Sequence, residues 1–91
     1  MLPSEILQKA KDSLTEKTWG KGNRQERAGG TLCAAEAIGI HGVDYTYCTS
    51  FLRYAISTSS IVAWNDAPER TLAEVHAAFD KAIAAAKEAG Q

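Results

Sequence analysis

No helix can run through residues 67–68 of this chain. Pro68 has no backbone N–H, and its ring forces Ala67 out of the α region. The sequence on both sides has to be read around that break. Trp64-Asn65-Asp66 precedes it, and the short polar side chains of Asn65 and Asp66 favour a turn. Ala67-Pro68-Glu69-Arg70 then leads to Thr71, with Glu74 three positions later. Thr71-Leu72-Ala73-Glu74 is a capping box, in which each end residue's side chain accepts the other's backbone N–H. Trp64 is expected to anchor the turn on the core, with its indole N–H on a carbonyl. Trp64, Asn65, Asp66, Thr71 and Glu74 thus read as a structural hinge without a catalytic signature.

Apolar periodicity fills in the rest. Ile6, Leu7, Ala10 and Leu14 recur at three- and four-residue spacing and predict a helix over 4–15, with Pro3 tolerated at its start. Residues 20–30 carry glycine at both ends and form one long irregular loop. A second helix is expected over 31–40, where nearly every position is small or apolar except Glu36. That acid either faces solvent or needs a buried partner. A third helix is expected over 44–57, with Asp44 as N-cap. Tyr47, Cys48, Phe51, Leu52, Ala55 and Ile56 form its inward stripe, with Tyr45, Thr49, Arg53 and Ser57 on the other side. Residues 58–60 read as a turn and 61–64 as a short helix. The last helix spans 72–89, with Leu72, Val75, Phe79, Ala82, Ile83 and Ala86 inward and Gly90 as its stop. The expectation is an all-α fold: one domain over 1–91, a compact bundle of four main helices with one long glycine-rich basic loop.

Net charge is −1, which argues against broad attraction to nucleic acid or an anionic membrane. It also gives little protection against self-association, so a monomer or a weak homodimer is expected. No apolar run is long enough to span a bilayer, and Met1-Leu2-Pro3-Ser4-Glu5 lacks the features of a signal peptide. A cytoplasmic location follows as the expectation. Cys33 and Cys48, inside apolar helical patterns, read best as buried free thiols, with a disulfide between them as the open alternative.

The constellations that assign reaction classes are missing. Cys33, His41, Cys48 and His76 show neither CxxC nor HExxH spacing, so no metal is expected. His76 borders the core face of the last helix and reads as a half-buried, hydrogen-bonded histidine. Neither cysteine lies in a basic setting, and the glycines match no phosphate-binding loop, so no cofactor is expected. The third helix exposes Arg53 but little else that reads base edges. Nucleic-acid binding therefore rests on Lys17, Lys21, Arg24 and Arg27 in and beside the loop, and stands as the alternative reading.

Trp19 with its glycines, Gly30 followed by Cys33-Ala34-Ala35-Glu36-Ala37-Ile38, Trp64-Asn65-Asp66, and Thr71 opening an alanine-rich helix together resemble a known pattern. The chain is similar to a small domain family of unknown function found in actinobacteria and their bacteriophages. The resemblance covers roughly residues 4–89. It departs from the family pattern at Ala35-Glu36-Ala37, where the family tends to carry Leu-Gly-Ala. It implies a fold and a host range, and makes a phage origin plausible, but implies no activity. Small phage proteins of this kind often bind a host protein. The expected function is accordingly a non-enzymatic interaction module that acts on an unidentified host protein, in the host cytoplasm if phage-encoded. Trp19, Lys21, Arg24, Arg27, Tyr45 and Arg53 are its candidate contact residues, since aromatic and Arg side chains anchor interfaces.

Overall fold

A computed structural model of the chain describes residues 1–22, 29–42 and 44–91. Among these, five helices form: α1 (Pro3–Ser13), α2 (Ala34–Gly39), α3 (Tyr45–Ile56), α4 (Ile61–Asp66) and α5 (Leu72–Glu88). The fold is all-α. α5 packs along α1 and α3, α2 rests on α1 and α3, and α4 closes against α2 and α3.

The longest helix is the organising rod. Its 17 residues span about 26 Å. The capping box starts it as expected: Thr71 Oγ1 accepts Glu74 N–H at 3.2 Å, and Glu74 Oε1 accepts Thr71 N–H at 2.9 Å. Leu72, Val75, Phe79, Ala82, Ile83 and Ala86 are all buried. Gly90 adopts φ +80°, and Gln91 N–H turns back to the Ala86 carbonyl at 2.8 Å. That left-handed residue is why the helix stops there.

α1 lays Ile6, Leu7 and Ala10 against this rod. Leu14 leaves the helix in extended conformation yet stays fully buried. Its carbonyl accepts the Nε2–H of His76 at 2.7 Å, and this fixes the tautomer, because a carbonyl can only accept. His76 is half-buried and bonded, as its position predicts.

Three expectations need correction. α2 begins at Ala34 and not near 31. Leu32 is held extended instead: its N–H reaches the Thr18 carbonyl at 2.7 Å, and its own carbonyl accepts Gly20 N–H at 3.0 Å. This isolated parallel bridge, Trp19 to Leu32, joins residues 18–20 to Leu32 and delays the helix. Glu36 then serves the new start, its Oε1 accepting Cys33 N–H at 3.0 Å. Second, Asn65 and Asp66 are the last residues of α4 and not a turn. Ser60 Oγ caps that helix by accepting Ala63 N–H, and the chain turns at 67–70. Third, Thr49 faces inward on α3 and is fully buried, its hydroxyl bonded to the Thr46 carbonyl, while Tyr47 is 47% exposed. Cys48 and Leu52 are buried as expected.

Candidate functional site

Two clusters gather the residues singled out by the sequence. The first is built on Asn65. α4 carries this side chain into the interior, where it is fully buried. Its Oδ1 accepts the indole N–H of Trp19 at 2.7 Å and the backbone N–H of Ala34 at 3.1 Å. Its Nδ2 donates to the Gly20 carbonyl and to Asp66 Oδ1, both at 3.0 Å. All four hydrogen-bonding positions of the amide are filled. Residues 19–20 and the first turn of α2 are thereby tied to α4.

Lys21 belongs to the same anchor. Its ammonium donates to the Ala67 carbonyl at 2.8 Å and the Pro68 carbonyl at 3.1 Å, and lies 5.5 Å from the centre of the Trp19 ring. Both carbonyls lie in the turn just past the end of α4, where the Ala67 carbonyl also accepts Arg70 N–H. Arg70 works from the other side. Its guanidinium stacks on Trp64, with Cζ 4.1 Å from the ring centre, while Nε donates to the Trp64 carbonyl at 2.9 Å. It also pairs with Glu74 at 3.2 Å. The Glu74 carboxyl sits below the usual carboxylate range, chiefly because Thr71 N–H bonds it, with Arg70 adding to the effect. Sequence reasoning missed Arg70, although a cation six residues after a Trp and four before a Glu was a usable signal. It also assigned the bonded indole to Trp64, whereas that of Trp19 reaches Asn65.

The second cluster is a groove of about 180 Å³ where α2, α3 and α4 meet. Tyr45 and Arg53 line it, with Ala35, Ile61 and Val62 among their neighbours. Tyr45 is 41% exposed and its ring rests against Gly39; Val62 is 50% exposed. Arg53 Nε donates to the Ser59 carbonyl at 3.1 Å, which holds the guanidinium over the groove rim. Of the six candidate contact residues, Trp19 and Lys21 thus join the anchor and Tyr45 and Arg53 the groove. Arg24 and Arg27 lie outside the described residues.

The remaining polar chemistry has local uses. Ser13 Oγ lies 2.5 Å from His41 Nε2, but it also reaches the Lys9 carbonyl at 2.8 Å. A proton given to that carbonyl leaves the hydroxyl accepting from His41 Nε2–H. That is a helix-end contact, because a general base would need the nitrogen unprotonated. Cys33 and Cys48 are free and buried, and burial pushes both thiols above their ordinary pKa. Among the described residues, no three His, Cys, Asp or Glu side chains converge as a metal site would require. No helix among them is long and apolar enough to cross a membrane.

Helix order and anchor together define a small all-α fold in which a buried Asn ties α4 to α2 and to residues 19–20. The chain belongs to the family of unknown function DUF6197, whose model matches residues 1–85. No curated protein and no solved structure matches the chain.

Proposed function

We propose that the protein is a non-enzymatic interaction module, a phage-encoded accessory factor that docks on a host actinobacterial protein through the Tyr45–Arg53 groove. The observation that carries this reading is the convergence of those two side chains. They stand eight positions apart on α3 and border one concavity with exposed Val62. An aromatic ring, a guanidinium and a small apolar floor are the chemistry of an interface anchor. The non-catalytic part is supported by the local bonding of the polar groups that could otherwise do chemistry. Phage origin, host range and action in the host cytoplasm rest on the resemblance drawn from the sequence.

The test is affinity capture from an actinobacterial lysate with the wild-type chain, Tyr45→Ala and Val62→Asp, folding being checked by circular dichroism. One enriched protein that is lost with both folded variants is the expected result. Equal recovery with the variants would remove the groove from the reading. Recovery of nucleic acid alone, abolished by nuclease and steeply salt-dependent, would transfer it to the basic segment at Lys17, Lys21, Arg24 and Arg27.

A further inference from the structure

A different face of α3 borders a larger groove. It runs between α3 and the C-terminal half of α5, with a volume of about 730 Å³. Phe51 and Tyr54 form one wall, Ala84 and Ala85 the low ground, and Lys81 and Glu88 flank them on α5. Tyr54 is 70% exposed, the most exposed large hydrophobic side chain among the described residues.

We propose that a second copy of this chain occupies the groove, α5 packing antiparallel to α5 about a two-fold axis that passes between Ala84 and Ala85. The charge pattern carries the argument. Lys81 and Glu88 are seven residues apart, two helical turns, so they lie on one stripe about 10.5 Å apart. Their midpoint falls between Ala84 and Ala85. An antiparallel two-fold there sets Lys81 opposite Glu88 of the other copy, and Glu88 opposite its Lys81. A parallel arrangement would set like charge on like. Neither residue has an ion-pair partner among the described residues.

A groove carrying one charge of each sign, symmetric about its centre, is complementary to itself, as an isologous interface requires. The alanines at the crossing let the two backbones approach closely, because interaxial distance follows side-chain size at the contact. Phe51 and Tyr54 then cover the flanks, and a net charge of −1 sets no barrier to association. One helix face with two aromatic flanks is at the small end of interface sizes, so the dimer is weak and concentration-dependent. This surface is separate from the Tyr45–Arg53 groove, and neither proposal depends on the other.

Sedimentation equilibrium over a wide concentration range is the test, with Lys81→Glu, Glu88→Lys and the double reversal alongside the wild-type chain. The wild-type chain should dimerise reversibly. Each single reversal turns two attractive pairs into two repulsive ones and should raise the dissociation constant roughly tenfold or more. The double reversal restores opposite charges across the axis and should recover wild-type association. Ala84→Cys places a thiol next to the axis, and added diamide, itself reduced to the hydrazine, should oxidise the two thiols to a disulfide-linked dimer, while buried Cys33 and Cys48 stay out of the reaction. A wild-type chain that stays monomeric throughout, single reversals without effect, a double reversal that fails to rescue, or Ala84→Cys that does not cross-link would each overturn the proposal.

Discussion

Asn65 carries more of the tertiary structure than its size suggests. A buried amide with a missing partner costs the full desolvation of the group left behind, roughly 1–3 kcal/mol for each. Asn65→Ala would strand the Trp19 indole N–H and the Ala34 N–H together, and should lower stability by about 3–4 kcal/mol in urea unfolding. Trp19→Phe keeps most of the ring but removes the donor to Asn65 Oδ1, and should cost about 1–2 kcal/mol. If Asn65→Ala were neutral, the anchor would not be what holds residues 19–20 and the start of α2 on α4. The buried thiols make a second prediction. Burial raises the pKa of Cys33 and Cys48 in the folded chain. The unfolded chain therefore gives up these protons first as pH rises. Their contribution is intact below the ordinary thiol pKa and is lost as pH climbs from there through the raised folded value. Urea midpoints should fall across that alkaline window, and replacing both cysteines by Ala should flatten the fall. Native Cys33 and Cys48 should also resist alkylation at neutral pH and react once the chain is unfolded.

At the scale of elements, several helix ends have a specific device. Pro3 occupies the first turn of α1, where Glu5 Oε1 accepts Leu2 N–H at 2.8 Å. α3 is closed by Ser57 at φ +56°, a left-handed position that disfavours any residue with a Cβ. Ser57 is exposed, so its side chain gives little packing in return. Ser57→Gly should therefore raise stability by about 1 kcal/mol, read as a higher urea midpoint with an unchanged slope. Much of this layer was legible in the sequence. The Thr71–Glu74 box, the inward face of α5 and the stop at Gly90 all follow from local spacing. The start of α2 was not legible, because Leu32 has ordinary helical company. What holds it extended is a bridge to Thr18 and Gly20, a dozen residues upstream.

For the whole molecule, α5 is the element that both α1 and α3 need. Phe79 is among the largest fully buried side chains and sits on its inward face. Phe79→Ala should cost about 3–5 kcal/mol in denaturant unfolding, a large share of the stability of a chain this small. A loss below about 1 kcal/mol would mean that the site collapses around the deletion and that α5 is not the rod of the fold. The surfaces left over are the outer sides of α3, one facing α2 and α4, the other facing α5. Tyr45 and Arg53 serve the first, and Phe51 with Tyr54 the second. This division explains why the tyrosines of α3 could not be sorted from sequence. Tyr47 fits the inward stripe by spacing, yet is 47% exposed, and Thr49 was placed outward, yet is fully buried.

What the sequence by itself determined is local. Apolar spacing selected helices over strands, Pro68 separated α4 from α5, and the capping box marked where α5 starts. These depend on interactions within about one helical turn, and no other part of the chain has to be in place for them to act. The tertiary structure alone decided what Asn65 does. A short polar residue before a Pro reads as a turn former, and only the arrival of Trp19, Gly20 and Ala34 from 31 to 46 residues away makes it a buried four-way connector. The same holds for Lys21, which reads as a free basic side chain until the Ala67 and Pro68 carbonyls are beside it. Long-range hydrogen bonds have no periodicity in sequence. Their partners become visible only when the core has brought the segments together.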